Sequence, residues 1–104
     1  MQSRKDTILK MLETEPNDEF LNYALAIEQE KEGELSVAIE TLFLLKKNSP
    51  TYLGLYLKLA ELLSNSNKET TAIEIINDGI LLAKSQKNTK TEGELKVLLM
   101  ELED

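Results

Sequence analysis

Neither histidine nor cysteine occurs in the sequence. The first absence removes the commonest general base, the usual metal ligand and every Ser–His or Cys–His nucleophile pair. The second removes any disulfide framework or thiolate site, and nothing marks an oxidising compartment. Glycine is sparse: Gly33, Gly54, Gly79 and Gly93 stand apart, so there is no glycine-rich phosphate loop and no nucleophile elbow. Long apolar runs are missing too. Leu42–Leu45 and Leu53–Leu57 are far too short to span a bilayer, and no apolar leader segment follows Met1–Asp6. Positive charge is scarce, with 12 basic against 19 acidic side chains and a formal charge of −7. The basic clusters Arg4-Lys5, Lys46-Lys47 and Lys84/Lys87/Lys90 are short and scattered, so no face could displace the counterions of a nucleic acid or dock on an anionic membrane. These absences argue against catalysis, metal or cofactor binding, nucleic-acid binding and membrane attachment. A soluble cytoplasmic protein is expected.

What is present is a leucine-rich chain with almost no valine, 41% hydrophobic and 30% charged, a balance that favours packed helices over strands and over disorder. At 104 residues a single domain is expected, burying roughly 60–70% of the surface its unfolded chain exposes. Laid over itself at an offset of 34, the sequence aligns Pro16 with Pro50, Leu21 with Leu55, Leu25 with Leu59, Ala26 with Ala60, Ala38 with Ala72, Ile39 with Ile73 and Glu40 with Glu74. Most of these pairs are apolar, as a repeating core face requires. Gly33 meets Asn67, two residue types that tolerate the left-handed conformation ending a helix.

Apolar positions within each period fall at steps of three and four, so each period holds two amphipathic helices. The pattern predicts helices over 4–14, 18–31, 35–47, 52–64, 69–85 and 91–102. Pro16 and Pro50 cannot continue a helix, Gly33 offers a terminating turn and Ser64-Asn65-Ser66-Asn67 is a polar turn cluster. Two helices read as opening on capping boxes, Ser3-Arg4-Lys5-Asp6 and Thr91-Glu92-Gly93-Glu94.

Leu25-Ala26, Gly33, Ala38-Ile39 and Pro50, continued by Tyr56, Leu59-Ala60, Ala72-Ile73, Ile76 and Gly79, resemble the tetratricopeptide repeat signature. The resemblance implies an all-α protein of antiparallel helix-turn-helix repeats stacked as an α-solenoid. Its parts would be a partial repeat helix at 4–14, repeats at 18–50 and 51–85, and a capping helix at 91–102. The chain is similar to short, stand-alone bacterial members of that family. It departs from the signature at Gln29, where an aromatic is usual, at Asn67 in place of a turn glycine, and at Lys84, where a third proline is expected. Small residues at Ala26, Ala38, Ala60, Ala72 and Gly79 meet the family's need for close helix packing.

The resemblance also implies a non-catalytic scaffold that binds a peptide or helix of a partner protein on its concave groove. In such repeats the first helix of each pair lines that groove. Helix phase leaves Phe20, Tyr23, Ala24, Ile27, Glu30 and Lys31 there, followed by Gly54, Leu57, Lys58, Glu61, Ser64 and Asn65. Phe20, Tyr23, Ile27, Glu30, Leu57, Lys58 and Glu61 are the candidate partner-binding residues. Relatives that clamp the terminal carboxylate of chaperones use Lys and Asn where Tyr23, Ile27, Leu57 and Glu61 stand, so that role is not implied.

An apolar stripe needs a cover. It could come from the first helix through Ile8, Leu9, Met11 and Leu12, from the last through Leu95, Leu98, Leu99 and Leu102, from a partner, or from a second copy in a homodimer. The dense carboxylates Glu28, Glu30, Glu32 and Glu34 alternate with Lys31 and read as a solvated charged face rather than a catalytic or cation site.

If Ala38 and Ala72 mark the crossings of paired helices, Ala38→Leu or Ala72→Leu should overpack its hairpin and cost about 1–3 kcal/mol. Thermal melting checks this: variants that melt with the parent would show the repeat register to be misplaced.

Overall fold

The computed structural model describes residues 2–103. They form six helices, α1 (Arg4–Thr14), α2 (Glu19–Lys31), α3 (Leu35–Asn48), α4 (Gly54–Asn65), α5 (Glu69–Ser85) and α6 (Thr89–Glu103), and among the described residues there is no strand. No helix is long and apolar enough to cross a membrane, again among the described residues. The chain divides into two compact units, residues 1–52 and 53–104.

In the first unit α2 packs against both α1 and α3. Ala26 and Ala38, fully buried, bring α2 and α3 close enough for Leu21, Leu25, Ile39, Leu42 and Leu45 to fill the space between and beside them. Burying each leucine or isoleucine contributes about 1.5–3 kcal/mol. Gln29 is buried as well. Its Oε1 accepts a 2.7 Å hydrogen bond from the Thr41 hydroxyl, so a polar pair within the α2–α3 hairpin stands where the repeat signature has an aromatic. Satisfying the amide in this way removes most of the cost of burying it.

In the second unit α4, α5 and α6 pack on one another. Ala60, Ala72 and Ala83 are fully buried, and Gly79 is buried among them. A Cβ on Gly79 would lie 2.9 Å from Tyr56 Cβ on α4 and 3.0 Å from Leu95 Cδ1 on α6. At this point three helices meet with no room for a methyl group. Leu55, Leu59, Leu62, Leu63, Ile76 and Leu95 occupy the surrounding core.

Two kinds of turn recur. Glu15 and Ser49 each precede a proline, whose ring excludes the helical conformation from its predecessor, and they adopt nearly identical dihedrals of −133°/68° and −141°/66°. Their hydrogen bonds repeat at the same offset: Glu15 N–H to Met11 O and Asp18 N–H to Glu15 O, then Ser49 N–H to Leu45 O and Tyr52 N–H to Ser49 O. The second kind is a left-handed turn at Gly33, Asn67 and Lys87, with φ of 80°, 61° and 57°. Each donates to the carbonyl three residues back, and the next residue donates five back, as in Glu34 N–H to Gln29 O, Lys68 N–H to Leu63 O and Asn88 N–H to Ala83 O. Lys84 explains the third instance. Without a proline there, α5 runs on to 17 residues, against 14 for α3, and then closes on the tight turn.

These turns account for where helix ends depart from expectation. α1 and α5 have the expected bounds, and the Ser3/Asp6 capping box is formed. Asp18 caps α2 by accepting from Leu21 N–H at 2.8 Å, but its counterpart one period on is Tyr52, which offers no carboxylate, and α4 begins at Gly54 rather than at 52. The expected Thr91/Glu94 capping box does not open α6. α6 starts at Thr89, and the side chain of Asn88 accepts from Thr91 N–H at 3.0 Å, because the turn at Lys87 already places an asparagine at the cap.

Helix propensity alone makes Gly→Ala stabilising by up to about 1 kcal/mol inside a helix. Gly79→Ala should instead destabilise by about 1–3 kcal/mol, since the Tyr56 Cβ is tied to its backbone and cannot yield. A Cβ on Gly93 in α6 meets nothing within 4 Å, so Gly93→Ala should follow propensity and stabilise. Urea unfolding of the two variants should give opposite signs; a common sign would remove the packing argument.

Candidate functional site

Burying Leu21, Leu25 and Ala26 leaves the opposite phase of α2 outward. Phe20 is 64% exposed, and Tyr23, Ala24 and Ile27 are half-buried. With Arg4, Glu28 and Lys31 they line an open depression of about 160 Å³. Tyr23 also meets Tyr52 from the chain after α3, ring centroids 5.7 Å apart and planes tilted by 50°, a favourable offset geometry. Removal from water raises the Tyr52 hydroxyl pKa above the ordinary tyrosine value, with smaller contributions from Tyr23, Glu19 and Asp18.

Helix α1 lies against α2 but does not close this face. Of the four apolar side chains expected to cover it, Ile8 is buried and Leu12 half-buried, whereas Leu9 and Met11 are exposed. Ion pairs with acids at the end of α2 accompany this packing. Lys5 Nζ sits 2.8 Å from Glu34 Oε1 and 3.0 Å from Glu32 Oε1, and these two hydrogen bonds raise its pKa well above the usual lysine range. Arg4 Nε lies 3.7 Å from Glu28 Oε1, and Lys31 Nζ lies 3.2 Å from Glu28 Oε2 without the alignment of a hydrogen bond. The expectation of a solvated acidic face is corrected at Glu28, which is only 9% exposed; Lys31 and Glu32 are exposed, and Glu32 and Glu34 hydrogen-bond Lys5 of α1.

The remaining candidates fall in the second unit. Leu57 and Lys58 are half-buried and Glu61 is exposed. Leu57 and Glu61 line a shallow depression of about 280 Å³ with Glu94, Val97, Leu98 and Glu101 of α6. Lys58 and Glu30 line neither depression; Glu30 is half-buried. Leu95 anchors α6 in the core, with Leu98, Leu99 and Leu102 half-buried along the same side.

No family model and no curated protein sequence matches the chain. Solved structures do. A crystal structure of a tetratricopeptide repeat domain protein from Salinibacter ruber shares 30% identity over 83% of this chain and 96% of its own, with a TM-score of 0.79. A solution structure of a tetratricopeptide repeat domain protein from the same organism shares 31% identity over 85% and 89%, with a TM-score of 0.81. The chain belongs to the tetratricopeptide repeat family. A solution structure from Bordetella parapertussis, at 22% identity over 98% of this chain and 89% of its own, shares the fold with a TM-score of 0.85. Tetratricopeptide repeats are helical repeats of the α-solenoid class that serve generally as protein-interaction modules and are typically non-catalytic.

Viewed as tetratricopeptide repeats, the two halves differ at residues the sequence pattern passed over. Tyr52 occupies the capping place of Asp18, and that mismatch in the 34-residue alignment was the available signal that its side chain had another use. Glu94, Val97 and Glu101 alternate with the leucines of α6 at helical spacing and could have been read as its outward side. Arg4 gave no such signal, because its place beside Phe20 depends on how α1 crosses α2.

A tyrosine is uncharged when protonated, so a raised folded-state pKa means stability that is complete below the unfolded value of about 10 and lost as pH rises through the folded value. Tyr52 and Tyr56 are both raised, chiefly by burial, so the protein should lose stability above pH ~10. Urea midpoints at neutral and alkaline pH should differ less in Tyr52→Phe than in the parent; an equal difference would show that Tyr52 titrates as if in water.

Proposed function

We propose that the protein is a non-catalytic interaction module that takes a peptide or helix of a partner protein on the outward faces of its first-of-pair helices. On α2 the anchors are Phe20, Tyr23 and Ile27, with Glu30 beside them; on α4 they are Leu57, Lys58 and Glu61. The observation that carries this reading is Phe20: a phenylalanine 64% exposed at the rim of a depression lined by tyrosine, alanine and isoleucine. Scattered exposed apolar residues need no explanation, but a contiguous aromatic and aliphatic set with a concavity between its members is what a partner's side chain fills. Glu30 and the charges beside Leu57 would set orientation and association rate more than affinity.

A homodimer using the same α2 face is the second reading, favoured by the same exposed phenylalanine and opposed by the −7 charge each copy brings. Catalysis has little to draw on: the densest carboxylates are occupied in latching α1.

Because Tyr23 packs on Tyr52, its truncation should cost stability as well as binding. Phe20 separates the two. Phe20→Ala should leave the melting temperature nearly unchanged while weakening partner binding by about 1–3 kcal/mol. Partners captured from the native cell by the parent and then measured by calorimetry against both variants provide the check. Undiminished affinity in Phe20→Ala and Tyr23→Ala would take the α2 face out of the account.

A further inference from the structure

The depression in the second unit differs in charge from the one on α2. Along α6 the residues Glu94, Val97, Leu98 and Glu101 follow one another at helical spacing, an apolar pair between two carboxylates, and α4 adds Leu57 and Glu61 from the facing side. Val97 is 56% exposed, so the apolar floor is open to solvent. Glu94 and Glu101 stand seven residues apart on α6, which at the helical rise is roughly 10 Å.

Three acids at and just past the end of α2 are matched. Glu28 has Arg4 and Lys31, and Glu32 and Glu34 share Lys5. Around the α4–α6 depression, among the described residues, none of Glu61, Glu94 and Glu101 takes part in an ion pair. The nearby Lys96 is committed elsewhere, with its Nζ 2.7 Å from Glu92 Oε2, and this contact holds the Glu92 carboxyl below its usual range. Lys58, on α4 next to Leu57, is half-buried and does not line the depression. An apolar floor ringed by three carboxylates without ion-pair partners repels an acidic ligand and favours a cationic one.

We infer that this depression receives a basic amphipathic helix of a partner protein, one that carries an apolar pair flanked on both sides by lysine or arginine. The pattern complementary to α6 is basic, two residues, apolar, apolar, two residues, basic. The apolar pair lies over Leu57, Val97 and Leu98, and the flanking cations reach Glu94 and Glu101, with Glu61 opposite. Removing the floor from water supplies the affinity, and the carboxylates select against acidic and neutral segments and speed encounter at low salt. A second copy of the chain is a poor occupant, since it brings seven net negative charges of its own and its Arg4 and Lys5 are engaged with Glu28, Glu32 and Glu34. The inference rests on the reading of the protein as an interaction module and adds the chemistry of the partner at one of its faces.

The test uses the full chain labelled for amide NMR and two short alanine-based helical peptides, each with a central leucine pair, flanked in one by lysines and in the other by glutamates. The lysine peptide should shift amides around Leu57, Glu61 and the α6 segment from Glu94 to Glu101, and should bind more weakly as salt is raised. Combining Glu61→Gln, Glu94→Gln and Glu101→Gln should weaken it by roughly ten- to a hundredfold, since each exposed pair contributes a factor of roughly two to five. The Phe20→Ala protein should bind it as the parent does. Equal binding of the glutamate peptide, no loss in the triple variant, or no binding of the lysine peptide would overturn the basic-partner assignment. So would peptide-induced shifts centred on Phe20 and Tyr23, although these would leave the interaction-module reading standing. Shifts of the same α4 and α6 amides with protein concentration alone would show that a second copy holds the site and would also overturn it. Loss of the α2 face in the Phe20 experiment together with intact lysine-peptide binding on α6 would leave the inference standing.

Discussion

Everything in each unit depends on how closely its helices approach. Ala26 and Ala38 allow it in the first unit, and Ala60, Ala72, Gly79 and Ala83 in the second, where Gly79 has van der Waals space for a hydrogen and nothing more. Dispersion falls steeply with separation, so an added methyl at such a point would loosen the leucines and isoleucines stacked on either side. The same contact orients the outward surface. Because Leu95 is seated against Gly79, the next turns of α6 present Val97 and Leu98 beside Leu57 and leave Glu94 and Glu101 at the margin.

The features that could be read from the sequence are the ones set by short-range chemistry. The 34-residue alignment located the alanines, the prolines and the Gly33/Asn67 turns because each acts through its own backbone or its own size. Ser3 and Asp6 were legible as a cap for the same reason. The start of α6 was not. Asn88 and Thr91 are both good capping residues three apart, and the choice fell to a left-handed turn at Lys87, a residue type that gives no hint of it. Glu28 was misread because helical phase shows which side of α2 it is on but not that Arg4 arrives from another helix to meet it. Of the candidate surface, Phe20, Tyr23 and Ile27 were found by phase; Tyr52, which shapes their neighbourhood, comes from outside the helix and was not.

Electrostatics divide the two outward faces into different instruments. At the end of α2 the carboxylates of Glu28, Glu32 and Glu34 are paired with Arg4 and Lys5 of a first helix in which Ile8 is the one buried side chain. What the α2 depression leaves exposed is chiefly aromatic and aliphatic. On α4 and α6 the carboxylates are left over, and the apolar floor comes with a sign attached. Exposed pairs contribute little to stability, so leaving them unmade costs the fold almost nothing.

The central claim is that the apolar side chains on these faces await a partner and are not consumed by the protein itself. Light scattering coupled to size-exclusion chromatography, run at two widely separated concentrations, addresses it most directly. The account predicts the mass of a single chain at both. A dimer mass at the higher concentration, abolished by Phe20→Ala, would contradict it and make the α2 face a self-association surface.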